Sequence, residues 1–321
     1  MMKKTLGIFV VFVLICLLTA ALSDVFLRPQ NVENLIMRIG LYGIMAIGVS
    51  FVIMTGGIDL SLGSMVCLTG CGLPWLLVKV GWSPPWALLV LLLVVLGLGW
   101  THGWMITRWH LQPFIVTLCG LLIYRGVMRG LAADQSLGFG TAYDGLRWIA
   151  TGKIPLGSLP IALPMPFVWL VIVALLAFGF LRYTVWGQHL LALGYNEEAA
   201  KNSGIRTNRL IVASYMICAF LAGFAGLLFS MDVNSAQPSD FGNFYELYAI
   251  AAAVLGGCSL RGGQGAVLGV LIGTALMQVL RNMIVLVFPA QQNMEFAIIG
   301  FVILLGVLGD EWFKRYFAKR S

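Results

Sequence analysis

The chain has 321 residues, of which 60% are hydrophobic and only 10% charged, with a formal net charge of +7. A soluble domain carries roughly 25% charged residues, so this chain lacks the charge to solvate a globular surface, and its mean hydropathy of +0.93 points to hydrocarbon as the solvent. The basic residues are scattered, which excludes a nucleic-acid surface and leaves membrane orientation as their role.

At about 20 apolar residues per crossing, the length accommodates eight to eleven spans. The apolar residues come in continuous runs without period-2 alternation, so the expected class is an all-α, polytopic transmembrane bundle instead of a β-barrel. Met1–Lys4 followed by Leu6–Leu22 has the form of a signal peptide, and Ala21-Leu22-Ser23 is a passable cleavage site. The run is longer than a usual signal core of roughly 7–15 residues, which favours an uncleaved first span. Further runs cover approximately Leu35–Met54, Ser61–Val80, Trp86–Ile106, Pro113–Leu131, Leu163–Leu181, Leu210–Ser230, Leu247–Gly257, Ala266–Phe288 and Glu295–Leu308. The eighth is short and spans only if Glu246 and the stretch before it lie at the interface. About ten spans, with both termini cytoplasmic, put more than half of the 20 Lys and Arg inside, including the clusters at Arg182–Arg209 and Lys314–Arg320. One transmembrane domain, 1–321, is expected, with a long external loop at about 132–162, a second external segment at Met231–Tyr245 and a cytoplasmic loop at about 182–209.

The six cysteines read as small packing residues; Cys67 and Cys71, one helical turn apart, have no His or carboxylate beside them. The chain has no G-x-x-x-x-G-K-[ST] phosphate loop and no H-E-x-x-H, and its three histidines, His102, His110 and His189, are far apart. Two pieces of Leu41–Leu60 are echoed in Leu247–Leu260: Leu-Tyr-x-Ile-x-Ala and then Gly-Gly-x-x-Leu. Such echoes occur in transporters with internal repeats, and in apolar sequence they also arise by chance.

Three polar stretches stand out. In Thr55–Gly63, Gly56 and Gly57 allow tight turning, and Asp59 and Ser61 are each suited to cap the next helix. The functional alternative is a broken-helix element beside a transport path. Gly194–Ile205 reads as a short polar helix: Asn196 caps it, Glu197 and Glu198 fill the first turn, Ala199, Ala200 and Ser203 follow, and Gly204 lies past the end. It is either a plain amphipathic connector or a docking element for a cytoplasmic partner. In Gly256–Gly265, the glycines Gly256, Gly257, Gly262 and Gly263 with Ser259 read as a re-entrant turn or close-packing hinge. Gly265, Gly269 and Gly273 then form a packing stripe, internal or at a subunit interface. Among scattered polar residues, Arg281 and Glu295 are placed to pair across an external turn.

In order and spacing these three stretches, with Phe26-Leu27-x-Pro29-x-Asn31-x-x-Asn34, Gly43–Ala46 and Ser235–Ala252, resemble the ribose-type sugar permeases of bacterial ABC importers over about residues 26–310. The resemblance implies an inner-membrane transport subunit, not itself an enzyme, that translocates a monosaccharide or similar polyol from a periplasmic binding protein. It implies a second permease copy, as homodimer or paralogue heterodimer. It also implies a cytoplasmic ABC ATPase, commonly one chain with two nucleotide-binding domains, which carries ATP and Mg while this chain binds no cofactor. By the same resemblance, Gly194–Gly204 is the ATPase-coupling loop. Cys258 and Arg261 stand where the family often has Thr and Ala, which puts the role of that turn in doubt. Two rivals are an ion-coupled secondary transporter, which needs carboxylates in mid-span, and a membrane enzyme, which needs a catalytic cluster. Asp59, Glu246 and Glu295 all lie near run ends, and the spacing suggests no catalytic set.

Overall fold

A computed structural model describes residues 2–155, 157, 160–289, 294–301 and 304. The helices are α1 (Met2–Leu22), α2 (Pro29–Met54), α3 (Leu62–Pro74), α4 (Pro84–Arg108), α5 (Pro113–Ala132), α6 (Asp144–Thr151), α7 (Met165–Tyr183), α8 (Val185–Tyr195), α9 (Glu197–Asn202), α10 (Thr207–Val233), α11 (Tyr245–Leu255) and α12 (Val267–Val287). One short antiparallel hairpin, β1 (Lys153–Pro155) and β2 (Ala162–Pro164), is the sheet among the described residues. Proline opens α2, α4, α5 and α7 at the first or second position, where its missing N–H leaves no ladder bond unmade.

Seven helices among the described residues are long and apolar enough to cross a bilayer: α2, α3 with its π-helical continuation Trp75–Lys79, α4, α5, α7, α10 and α12. Their outward residues confirm the solvent. Leu122, Leu175 and Leu176 are each more than 60% exposed, an arrangement that water would penalise and lipid welcomes. The chain is therefore an all-α, multi-pass membrane protein. The apolar helices Leu6–Leu22 and Tyr245–Leu255 fall below the length of the seven. Of the tenth expected run, Glu295–Leu308, residues 295–301 and 304 are described and helical, and the remainder lies outside the described residues.

The core is built on α2 and α10. Every residue from Gly40 to Met54 is buried, which requires neighbours on all sides of α2. Its glycines let those neighbours close in: a Cβ at Gly43 would lie 2.8 Å from Leu170 of α7, and one at Gly48 would lie 3.1 Å from Leu221 of α10. On α4, Gly99 and Gly103 meet α10 at Met216 and Val212 in the same manner. Thr69 of α3 donates to the Gly223 carbonyl of α10 at 2.9 Å, tying two spans by a hydrogen bond.

The two segments expected outside meet at one end of the bundle. Leu137 and Ala236 form an isolated bridge, Asn234 Oδ1 accepts from the Phe139 amide at 2.9 Å, and Arg147 Nε donates to the Met231 carbonyl at 3.0 Å. Arg281 Nε and Glu295 pair at 2.9 Å, as the sequence suggested. The stretches around Gly56, Gly194 and Gly262 gather at the other end of α2 and α10.

Candidate functional site

α2, α11 and α9 all stop in the same way. The amides of Gly56 and Gly57 donate to Ile53 and Val52, those of Gly257 and Cys258 to Val254 and Ala253, and those of Gly204 and Ile205 to Lys201 and Ala200. Each is a Schellman closure, which needs one left-handed residue, and each has a glycine there: Gly56 (φ 84°), Gly257 (φ 92°) and Gly204 (φ 82°). In the echo between the two halves the left-handed glycine is thus the first of the pair after α2 but the second after α11.

These endings bring the three motifs to one junction. The Gly263 amide donates to the Met54 carbonyl, the last of α2, at 2.9 Å. Gly194, at the end of α8, packs into the same spot; a Cβ there would fall on the Met54 carbonyl oxygen and the Gly263 amide. A Cβ on Gly262 would lie 2.6 Å from the Gly194 carbonyl and 2.9 Å from the Gly56 amide. Ser259 shapes the hinge, with its amide on the Gln264 carbonyl at 3.0 Å and its carbonyl accepting from Gly262 at 2.8 Å. Cys258 is buried and Arg261 exposed. The stripe left open as internal or intersubunit is internal: Gly273 presses on the backbone of Ala252 in α11, and Gly269 on that of Gly256 just past its end.

α9 has the predicted caps. Asn196 Oδ1 accepts from the Ala199 amide at 2.9 Å, Glu197 and Glu198 occupy the first turn, and Lys201 pairs with Glu197 at 3.0 Å. Ser203 Oγ donates to the Ala199 carbonyl at 2.9 Å. Only Ala200 faces inward; the rest of the helix is exposed.

Asp59 and Ser61 depart from expectation. Neither caps α3: Ser61 stands at the cap position and makes no side-chain cap bond. Asp59 Oδ1 instead accepts from the Ser61 amide at 2.9 Å and the Ser61 hydroxyl at 2.6 Å, so the two close a local turn ahead of the helix. The turn is deep. Asp59 is fully buried, and its Oδ2 has no hydrogen-bond partner among the described residues. The Ile58 carbonyl accepts from Tyr215 Oη at 3.2 Å and Thr117 Oγ1 at 3.4 Å. Thr55–Ser61 is thus non-helical backbone that runs from the exposed Gly56 to the buried Asp59, and side chains of two spans satisfy its Ile58 carbonyl, as membrane interiors demand.

Run boundaries also do not show the burial of Glu246. It is buried at the start of α11, and a Cβ on Gly63 would fall on its carboxylate. α11 has 11 residues, about 16 Å of helix, roughly half a hydrocarbon core. Two discontinuous elements, Thr55–Ser61 and Gly242–Glu246, therefore meet at Gly63. Position near run ends does not argue against buried carboxylates at 59 and 246.

His102 is the functional candidate that spacing could not find. It lies on α4, is buried, and bonds Tyr124 Oη through Nε2 at 2.6 Å. Its ring stands edge-on to Tyr215 at 6.4 Å. The nearest hint in the sequence was a histidine inside the apolar run Trp86–Ile106, four residues from its end.

Comparison with known proteins supplies the rest. Residues 31–307 match the family described as branched-chain amino acid transport system / permease component. The chain belongs to this permease family. The permease is 34% identical to the ribose import permease protein RbsC of Bacillus subtilis (strain 168) over 308 residues, covering 96% of this chain and 92% of that one. It is 35% identical to RbsC of Escherichia coli (strain K12), with 91% and 89% covered. It is 31% identical to the xylose transport system permease protein XylH of Escherichia coli (strain K12), with 90% and 87% covered. No solved structure matches the permease.

Proposed function

We propose that this chain is the transmembrane subunit of an ATP-binding-cassette importer in a bacterial inner membrane, and that it carries a monosaccharide or similar polyol. Family membership makes it a permease component, and relatives named for ribose and xylose, each covering about nine-tenths of the chain, favour a sugar. In this reading residues 1–321 form one permease domain that crosses the bilayer about ten times with both termini inside. The partners are a periplasmic sugar-binding protein, a second permease copy and a cytoplasmic ABC ATPase with two nucleotide-binding domains in one chain. ATP and Mg sit on that ATPase, and this chain binds no cofactor.

The observation that carries the mechanism is the seat of the coupling loop. The exposed, capped helix Glu197–Asn202 is joined through Gly194 directly to the last carbonyl of α2 and the amide of Gly263. A push on α9 by the closing ATPase reaches α2 and the hinge between α11 and α12 without a flexible link between. The broken segments Thr55–Ser61 and Gly242–Glu246 lie beside the path, where unwound backbone can reorganise at little cost. Gly56, Gly57, Asp59, Ser61, Gly256, Gly257, Ser259, Gly262 and Gly263 form the hinge set. The subunit makes only transient contacts with the sugar, since tight binding would trap it.

The deciding experiment is uptake of labelled ribose and xylose into proteoliposomes holding the permease, its genomic-neighbour ATPase and the neighbouring binding protein. Uptake that needs all three and ATP supports the reading. Uptake driven by a proton or sodium gradient without the ATPase overturns it.

A further inference from the structure

A cavity of about 230 Å³ opens beside the coupling loop, lined by Trp186 and His189 of α8 and by residues 204–206, 209 and 210. It is smaller than the roughly 300–1,000 Å³ of a pocket for a whole drug-sized ligand, so it suits a headgroup. One wall is the first turn of the span α10, and the other is α8, which follows the span α7 after a single residue. α7 ends at Tyr183 and α8 begins at Val185, while α10 begins at Thr207. The cavity therefore lies beside the first turn of α10 and close after the end of α7.

The lining has the chemistry of that level. Arg206 and Arg209 are exposed, and neither pairs with a carboxylate among the described residues. Guanidinium forks match phosphate oxygens. Trp186 is 49% exposed, an indole placed as in the interfacial belt of membrane proteins, and Leu210 adds an apolar wall. Basic pockets between spans on the cytoplasmic side hold anionic headgroups. An acidic stretch of the ATPase would satisfy the two arginines but gives no reason for an exposed indole beside the first turn of a span.

We infer that this pocket binds the phosphodiester headgroup of an anionic phospholipid of the inner leaflet, beside the loop that couples to the ATPase. The inference takes its sidedness from the function proposed above. A lipid held there steadies the joint between α8 and α10, and so makes coupling depend on the anionic lipid content of the membrane.

The test uses the full permease in detergent and native mass spectrometry with palmitoyl-oleoyl phosphatidylglycerol or phosphatidylcholine. Each of two phosphate-facing cations contributes about fivefold to affinity, so Arg206→Gln/Arg209→Gln should bind phosphatidylglycerol about 25-fold more weakly. Its phosphatidylcholine binding, and the lipid binding of the control Arg108→Gln, should not change. A second readout needs no arginine variant. Dibrominated phosphatidylglycerol should quench wild-type fluorescence at lower mole fraction than dibrominated phosphatidylcholine, and the difference should vanish in Trp186→Phe. Equal phosphatidylglycerol binding by wild type and double variant, with equal quenching by the two brominated lipids, overturns the inference. So does competition by inorganic phosphate at the concentration of the lipid, which marks a site for the free anion. Loss of ATPase capture with lipid binding intact also overturns it, in favour of a protein partner. If transport proves independent of ATP while lipid retention persists, the functional reading fails and the pocket stands.

Discussion

The Gly263 amide donates to the Met54 carbonyl at 2.9 Å. The bond ties the hinge after α11 to the last turn of α2, two elements more than 200 residues apart in the chain. Gly194 packs against both atoms of it. One hydrogen bond is thus shared by the three stretches that looked separate in the sequence, and a displacement of Gly194 would disturb it.

Replacing Gly194 by alanine should uncouple the permease. The added methyl has no room beside the Met54 carbonyl and the Gly263 amide, and overpacking of this kind costs about 1–3 kcal/mol. Set against a coupling equilibrium, that corresponds to about a 5- to 150-fold loss of ATP-driven uptake, with membrane insertion unchanged. Gly97→Ala is the control, since a Cβ there meets nothing within 4 Å. Equal uptake by the two variants in proteoliposomes would show that the junction does not transmit the stroke.

The turn ahead of α3 gives a prediction on stability. Asp59→Ala removes the acceptor of the buried Ser61 amide and hydroxyl, and an unsatisfied buried donor costs about 1–3 kcal/mol. Asp59→Asn keeps one carbonyl acceptor in place. Thermal unfolding in detergent should therefore rank wild type above or near Asp59→Asn, with Asp59→Ala clearly lowest. If the two variants unfold together, the hydrogen bonds to Ser61 are not what the carboxylate is for.

Much of this was legible because it is local. Asn196, Glu197 and Gly204 announce a capped helix, and caps depend on a few neighbouring residues. The apolar runs announce spans because the bilayer fixes their length. What could not be read was depth. Asp59 and Glu246 stand at the ends of apolar runs, yet α10 and α5 reach over the first and α3 packs on the second, so both are buried. Run boundaries give distance along the chain, whereas burial depends on which helices close around a break. The same holds for His102 and Tyr124, 22 residues apart on different spans. The glycine junction was visible only as three glycine-rich stretches, with nothing in any of them to name the other two.

The pair His102–Tyr124 should behave as a buried unit. Their contact is 2.6 Å, and His102 Nδ1 has no partner among the described residues. Tyr124→Phe leaves a second ring nitrogen unpaired, at a cost of about 1–3 kcal/mol. His102→Phe with Tyr124→Phe removes both polar groups and should recover part of that loss. A double-mutant cycle in thermal unfolding is expected to give a coupling of about 1 kcal/mol or more. Additive single effects would mean that the hydrogen bond adds little to the packing of the rings.

Cys258 reports on the hinge itself. It lies between α11 and α12, outside the spans, and burial pushes its thiol up to about 12 from the ordinary 9.0. The thiolate is the species that reacts with maleimide. The sign follows directly: at pH 8 both values lie above the pH, and the raised one leaves a thiolate population roughly a thousandfold smaller. In a variant with the other five cysteines replaced, labelling at pH 8 should be slow in the resting permease and fast in denaturant. When α9 is pushed and the Met54–Gly263 bond opens, Gly265 withdraws from the Cys258 sulfur it now covers, and the thiol gains water. Labelling should then accelerate about tenfold or more on adding ATP to the assembled transporter, and should not accelerate with the ATPase poisoned by vanadate. A rate in the resting state equal to that in denaturant would mean that the hinge is open before any ATP is spent. A slow rate indifferent to ATP would mean that the stroke bypasses this turn.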